Sequence, residues 1–418
     1  MIQDTPAVPD VYSAEPIPGA AQDEINALLH SGDLFRYTSG LNSPVARLEK
    51  EFAELLDMPH ALAVSSCSAA LFLAIKALDL PRGSRIIMPA FTFAAVPSAV
   101  VHADCTPVLV ECGHDYRIDP EDFSRKIDTN IAAVLISHMR GHTSDMDVIL
   151  ESCEQRGIPV IEDAAHSLGT RWHGRAIGTF GAIGCFSFQS YKMLNAGEGG
   201  ILVTADPDLM ARAAIMSGAY ETNWKKHPGI GDRGGHWQNR LPLYNMRMNN
   251  LAAAVLRPQL IELGGRIAAG RRNHDHVAGQ LNRSPWLNVP EPLPGEERAP
   301  DSIQFNLSGF ATDDEARTFV KLAAMNGVDV QVFGLAEGNA RAFWNWQFID
   351  RQESLERTRA MLMRACDVRL PVHLLRHQLD QIAQAIVDAA ETVRGKDRRS
   401  QGTSTRGYAT IAEMTPGP

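Results

Sequence analysis

Basic side chains are in the minority: 40 lysine and arginine residues face 49 aspartates and glutamates, for a formal net charge of -9. That balance provides no global field to attract nucleic acid or an anionic membrane, so the expected partner is a small molecule. Long apolar runs are also missing. Nothing approaches the roughly 20 uninterrupted apolar residues that a membrane span needs. The stretch from Met1 to Ala20 has neither a basic start nor an apolar run, but carries Pro6, Pro9, Pro16 and Pro18 among acidic residues, so no secretion signal is read there. Cysteine is scarce and scattered. The six residues Cys67, Cys105, Cys112, Cys153, Cys185 and Cys366 form no CxxC pair and do not cluster with histidine, which argues against both a zinc site and a disulfide frame. A cytoplasmic location is expected. No repeat is found at solenoid or propeller periods.

What the chain does have is apolar content, 44% of 418 residues, enough for one large core and a smaller second one. Between His60 and Thr204, short apolar runs alternate with amphipathic stretches, the pattern of a mostly parallel sheet covered by helices on both faces. The runs are 60–64, 85–88, 107–110, 132–136, 159–161, 183–188 and 201–203. Helices are expected over 69–78, 93–101, 146–154 and 207–216, the last with Pro207 at its tolerated first turn. After an aromatic and basic loop, Tyr220 to Tyr244, a long helix is expected from Met246 to about Ile267, kinked at Pro258. A smaller α+β unit follows, with strands at 302–307 and 328–332 and helices at 313–325, 355–365 and 379–393. The expected division is an N-terminal segment, 1–34, a large domain, 35–255, a small C-terminal domain, 256–394, and a weakly packed tail, 395–418.

Three segments carry chemistry. The strand Ile158-Pro-Val-Ile-Glu ends in Asp163-Ala-Ala-His166, and a carboxylate at the C-terminal end of a parallel strand lies on the edge where α/β proteins bind ligands. Capping of the next turn is the alternative role for Asp163. Downstream, Cys185-Phe-Ser-Phe-Gln-Ser-Tyr-Lys192 runs into the turn Gly197-Glu-Gly-Gly200. A lysine leaving an apolar strand there has its amine near the same edge, and partial desolvation readies it to form an imine. Third, Val64-Ser-Ser-Cys-Ser passes from strand to helix. Its helix-start N–H groups, with the hydroxyls of Ser66 and Ser68, suit a phosphate, although plain N-capping explains the serines almost as well.

In order and content these segments resemble the DegT/StrS family of sugar and aminocyclitol aminotransferases, within the fold type I pyridoxal-phosphate enzymes. The resemblance runs from Leu34-Phe-Arg-Tyr through Leu48-Glu-Lys-Glu-Phe-Ala, Pro89-Ala-Phe-Thr-Phe and the three segments above to Tyr244-Asn-Met-Arg-Met and Leu370-Pro-Val-His. It implies an α/β fold with a large, mostly parallel domain and a smaller C-terminal α+β domain, with pyridoxal 5'-phosphate held as a Schiff base on Lys192. Asp163 is then the partner of the pyridine nitrogen, and Ser66, Cys67, Ser68 and Ser187 surround the phosphate. Phe93 and Ala165 lie against the two ring faces, and His166 near the phenolic oxygen. Asn245 matches a family asparagine that reaches the phosphate of a neighbouring subunit, which implies a homodimer with shared sites. No metal is implied.

The chain departs from the family pattern at Cys67, where many relatives have glycine, and at Gln189, where many nucleotide-sugar enzymes have histidine and the aminocyclitol branch has glutamine. The segment from Ala340 to Ile349 has no counterpart. By resemblance, glutamate or glutamine donates the amine to a keto sugar, keto cyclitol or related ketone, and Trp224, Lys225, Lys226 and Trp237 are expected to cover its ring. A dehydratase of the same fold would carry histidine in place of Lys192. A regulator would carry a DNA-binding domain ahead of the fold, and only about 30 residues precede the first matching segment.

Overall fold

The computed structural model describes residues 8–128, 130–350 and 353–403. Two helices, α1 (Ala21–Ser31) and α2 (Pro44–Leu55), precede the first strand, β1 (His60–Val64). Helix and strand then alternate through α3 (Cys67–Ala77), β2 (Arg85–Pro89), α4 (Ala95–His102), β3 (Thr106–Val110), α5 (Pro120–Lys126), β4 (Ile131–Ser137), α6 (Met146–Glu154) and β5 (Val160–Asp163). A small hairpin, β6 (Arg171–Trp172) and β7 (Arg175–Ala176), leads to β8 (Ile183–Ser187), β9 (Gly200–Thr204), α7 (Pro207–Gly218) and α8 (Arg233–Trp237). The helix starts are written in the sequence. Ser43, Asp119, Asp145 and Asp206 each accept a first-turn N–H at the heads of α2, α5, α6 and α7, and proline occupies the first turn of α2, α5 and α7.

Seven strands form one sheet in the order β1-β9-β8-β5-β4-β2-β3. Strands β3, β2, β4, β5 and β8 pair in parallel, while β9 is antiparallel to both its neighbours, β8 and β1. Because side chains alternate along a strand, Leu62, Ile86, Leu135 and Ile161 enter the core shared with α3, α4 and α7. Ala63, Ile87, Ile136 and Val160 enter the core on the α2 and α6 face. The same period separates the last two residues of β5. Glu162 belongs to the second face, where its carboxylate accepts the N–H groups of Gly178, Phe180 and Gly181 at 2.7, 2.6 and 2.7 Å. Asp163 turns to the first face.

The second unit begins with α9 (Asn250–Leu281) and continues through β10 (Leu287–Asn288), β11 (Glu296–Glu297), β12 (Ser302–Leu307), α10 (Asp313–Met325), β13 (Gln331–Val332), α11 (Glu356–Leu362), β14 (Ala365–Arg369) and α12 (Arg376–Thr403). Its sheet, in the order β10-β12-β14-β13, is antiparallel and shares a core with the C-terminal half of α9, α10, α12 and Val11 of the N-terminal segment. Strand β11 instead pairs with β6 of the large domain.

Several expectations are corrected. Helix α9 starts at Asn250 rather than Met246 and overruns Ile267 to reach Leu281, with Pro258 inside it. Packing along its whole length outweighs the bond that proline removes, and the neighbouring Gln259 amide donates to the carbonyls of Val255 and Asn195 at 2.8 and 2.7 Å. The helix expected over 355–365 is only the short α11, followed by the strand β14. The strand expected over 328–332 is reduced to Gln331–Val332. The loop expected over 220–244 contains a 3-10 turn, Asn223–Lys226, and α8. The tail expected from Gly395 lies partly in α12, and residues 404–418 are outside those described.

The N-terminal segment is fastened across the second unit. The buried Glu15 carboxylate accepts the N–H of Val372 at 2.6 Å and pairs with His373 Nδ1 at 2.9 Å. Asn195 Nδ2 and Arg266 donate to the carbonyls of Glu15 and Pro16, each at 3.3 Å. These contacts bring Tyr12 to the rim of the central cavity.

Candidate active site

The parallel strands β4, β5 and β8 end side by side at Ser137, Asp163 and Ser187, with Ser137 in register with Asp163 and Asp163 with Cys185. Their C-terminal edge floors a cavity of ≈ 540 Å³. Ser66, Cys67, Ser68, Phe93, Asp163, Ala165, His166, Ser187 and Lys192 all line it, as does Gln189. Nine of the ten residues expected around the cofactor therefore meet in one place. The tenth, Asn245, is exposed and does not line the cavity of its own subunit.

Asp163 is fixed from three sides. Ser137 Oγ donates to its Oδ2 at 2.7 Å and itself accepts from Thr92 Oγ1 at 2.9 Å, while the Ala165 N–H donates to Oδ1 at 3.1 Å. The bond from Ala165 is the turn-capping contact left open by the sequence, so capping and an aim into the cavity coexist in one carboxylate. Cys67 Sγ lies 3.9 Å from Oδ1, and burial followed by the Asp163 charge pushes its thiol well above the usual range. The sulfur at this departure from the family pattern is thus a neutral neighbour of Asp163 rather than a nucleophile.

Lys192 leaves the loop after β8, which Asn195 and Gln259 hold to α9 through the Asn195 N–H at 3.0 Å and the Gln259 amide. Its Nζ is 2.8 Å from His166 Nε2 and 3.1 Å from Nδ1. Burial, and next the positive charge of Arg140, bring the amine down to about 8. Burial, and next the charge of Lys192, hold His166 well below its ordinary value, so the imidazole is neutral at neutral pH and can accept a hydrogen bond without taking up a proton.

Ser66 is the N-cap of α3, accepting the Ala69 N–H at 3.1 Å, which leaves the first-turn N–H groups of Cys67 and Ser68 without intrahelical acceptors. Such a helix start favours an anion. Gly200 makes it accessible to the sheet: a Cβ there would lie 2.3 Å from the Ser66 carbonyl carbon and 2.4 Å from the Cys67 nitrogen, so only glycine lets β9 pass beneath the turn. The donor set suits pyridoxal phosphate on this geometry. An anion cradle, an amine of lowered basicity and a fixed carboxylate line one cavity, with Phe93 and the small Ala165 both on its wall.

The aromatic loop is placed differently from expectation. Trp224 is buried in the α3 and α7 core and donates to Gln238 Oε1 at 2.8 Å, and Trp237 donates to Asp208 at 2.7 Å beneath Arg212. Lys226 donates to the Tyr37 carbonyl at 2.8 Å, and Lys225 lies 5.3 Å from the Trp224 ring. None of the four lines the cavity of its own subunit: Trp224, Trp237 and Lys226 are engaged by the contacts just given, and Lys225 is exposed. Tyr12, Arg140, Gln331, Arg341, Asp367 and Arg369, which the sequence did not single out, do line it. Arg140 was within reach of the same argument that found Asp163, since it follows the C-terminal end of a parallel strand.

Comparison with known proteins agrees with this geometry. Residues 19–387 match the model of the DegT/DnrJ/EryC1/StrS aminotransferase family. The chain is 33% identical to the spore coat polysaccharide biosynthesis protein SpsC of Bacillus subtilis, over 62% of this chain and 64% of that protein. It is 32% identical to the L-glutamine:2-deoxy-scyllo-inosose aminotransferase of Micromonospora echinospora, over 66% of this chain and 67% of that one. The aligned stretch thus spans about two thirds of these relatives' own length. The crystal structure of 3-amino-5-hydroxybenzoic acid synthase superposes with a TM-score of 0.81 at 25% identity, covering 92% of this chain and all 100% of that one. Family match, fold and cavity agree: the chain belongs to the DegT/DnrJ/EryC1/StrS aminotransferase family, whose cofactor is pyridoxal phosphate.

Proposed function

We propose that the protein is a pyridoxal-phosphate-dependent aminotransferase that moves an amino group from an amino acid, glutamate or glutamine, to a keto sugar, keto cyclitol or related biosynthetic ketone. The observation that carries this reading is the meeting of Lys192, Asp163 and the α3 N-terminus in one cavity. The cofactor, when bound, supplies the electron sink that makes a substrate carbon acidic. Asp163 keeps the proton on the pyridine nitrogen, with Ser137 and the Ala165 N–H fixing the carboxylate. Lys192 holds the cofactor at rest and then carries the proton to and from the substrate carbon, its amine of pKa about 8 being suited to both directions. Ser66, Cys67, Ser68 and Ser187 would hold the phosphate, Phe93 and Ala165 would lie against the ring, and His166 would meet the phenolic oxygen.

The exposure of Asn245 outside its own cavity supports a homodimer in which it reaches the neighbour's phosphate. Among the described residues no helix is long and apolar enough to cross a membrane, and all six cysteines are free and buried, which fits a cytoplasmic location.

The cofactor-loaded protein, mixed with L-glutamate or L-glutamine, is expected to show the absorbance change of conversion to the amine form, reversed by a keto cyclitol or keto sugar. Absence of conversion with every proteinogenic amino acid would remove the reading. Asp163→Asn is expected to slow that half-reaction by on the order of 10²-fold, since a fixed charge aimed at the reacting system is lost. A melting temperature near wild type should accompany it; an unchanged rate with a lowered melting temperature would assign Asp163 to turn-capping alone.

A further inference from the structure

Three arginines from separate elements converge on the side of the cavity formed by the small domain. Arg140 sits in the 3-10 turn after β4, in the left-handed region at φ 55°; Arg341 lies in the loop between β13 and α11; and Arg369 ends β14. Arg140 and Arg369 are only 8% and 6% exposed. Their hydrogen-bonding capacity is largely unspent. Among the described residues, Arg140 Nε, Arg341 Nε, and Nε and Nη1 of Arg369 have no partner. Arg369 lies over the Tyr191 ring at 4.8 Å; Arg341 lies over the Phe333 and Phe93 rings at 5.6 and 5.7 Å, and its side chain donates to Gln331 Oε1 at 3.5 Å. The carboxylate among them is Asp367, which pairs with Arg140 and also accepts from Gln304 at 2.7 Å. Of the carboxylates lining the cavity, Asp367 is the one paired with a guanidinium of this group; Asp301, outside the lining but near enough to act on Lys192, accepts from Ser302 Oγ at 3.1 Å. Asp163 is held by Ser137 and the Ala165 N–H, and Glu198 is exposed.

Leaving buried guanidinium N–H groups unpaired is costly unless a ligand completes them. The planar fork of arginine matches a carboxylate with two parallel bonds. A glutamine donor brings one carboxylate, beside its reacting carbon, which one arginine satisfies; the remaining positive charge asks for a second, and the side-chain carboxylate of a glutamate donor is the competing source that the donor arm of the test separates. We propose that Arg140, Arg341 and Arg369 form a carboxylate-binding wall, and that the ketone accepting the amine itself carries a carboxylate. This rests on the aminotransferase reading and narrows its acceptor to an anionic ketone. The donor and the acceptor occupy the wall in turn, since both present their reacting carbon to Lys192.

The test uses the cofactor-loaded protein in its amine form, challenged with 4-hydroxycyclohexanone, 4-oxocyclohexanecarboxylate and 4-oxocyclohexyl phosphate. The carboxylate is expected to be favoured over the alcohol by about 10- to 100-fold in kcat/KM, the range of a hydrogen-bonded charge. In Arg341→Gln and Arg369→Gln the ratio should collapse toward one. Malonate titrated into the resting enzyme gives a readout independent of turnover: its perturbation of the cofactor spectrum should require at least ~10-fold more malonate in either variant. Arg369→Lys, which keeps charge without the fork, controls for misfolding and should restore only part of the preference. A wild type indifferent to the carboxylate, a preference for the phosphate, or variants that weaken only the glutamate half-reaction would overturn the proposal, the last by assigning the wall to the donor alone. If no amino acid converts the cofactor, the aminotransferase reading fails, while malonate binding still reads the wall.

Discussion

Lys192→Ala should turn over at least ~10³-fold more slowly than wild type, because in the proposed assignment one amine both holds the cofactor and moves the proton, and general acid-base catalysis alone contributes about 10²- to 10⁴-fold. Borohydride treatment of wild type should fix the cofactor covalently to the peptide containing Lys192, and in the variant should leave it extractable. Among the described residues the side chain bonds to His166 alone, so the melting temperature of the apoprotein should be nearly unchanged. Added methylamine should restore part of the half-reaction rate if the missing function is proton transfer. Wild-type turnover in the variant would remove the assignment. The pH dependence has a definite sign. Burial and the Arg140 charge lower the amine to about 8, so its reactive, uncharged form grows as pH rises through that value. Capture of cofactor by the apoprotein should accordingly speed up between pH 7 and about 9. Arg140→Gln removes the second of these causes, so the midpoint should move upward.

How much of this was legible in the sequence depends on what each element buries. Strands of the large sheet are covered on both faces, so Ala132 to Ile136 and Ile183 to Phe188 read as mainly apolar runs, and the carboxylate and lysine after such runs stood out against them. Strand β14 follows the opposite rule. Its Ala365-Cys-Asp-Val-Arg alternates core residues with Asp367 and Arg369, which face the cavity, so it shows no apolar run, and no element was read over 366–369. The arginine wall shared that fate, since its members are far apart in sequence and meet only once the small domain packs beside the large sheet. Tyr12 was hidden because the proline-rich start gives no period; the anchor at Glu15 becomes visible only with its partners Val372 and His373. The tryptophans of the 220–244 loop erred in the other direction. Their amphipathic rings suit a sugar ring as well as they suit the groove over α7, and composition does not separate the two.

The motifs near residues 34–37 and 48–53, noticed only as resemblance, turn out to be a buried ionic network. Arg36 and Glu49, each 1% exposed, form a two-pronged pair at 2.8 and 2.9 Å, and Glu49 also accepts the Ala63 N–H at 2.9 Å. His227 bonds Arg36 at 3.1 Å and the Tyr37 hydroxyl at 2.9 Å, tying the loop after α7 to the same knot. The knot grips β1 one residue before Val64, whose bridge to Arg247 and whose neighbour Ser65 set the entry to α3 and hence the phosphate cradle. Glu49→Ala should cost about 3 to 5 kcal/mol of unfolding free energy, because it strands a guanidinium that has no route to water. Arg36→Met combined with Glu49→Leu should recover much of that loss, since apolar residues of similar volume need no partner. Burial opposes ionisation of Glu49, but the Arg36 charge outweighs it and holds the carboxyl at about 2, against 4.5 when unfolded. A depressed carboxyl stabilises the fold fully above the unfolded value and loses that contribution as pH falls from 4.5 toward 2, on the order of 3 kcal/mol in all. Burial and then Arg36 keep His227 below its ordinary value, which adds a gentler loss beginning as pH falls below 6.5. Urea unfolding between pH 7 and 2.5 should therefore show wild type losing stability steeply below 4.5 and Glu49→Ala much less so. Parallel curves for the two proteins would show that this pair is not what ties the N-terminal segment to the sheet.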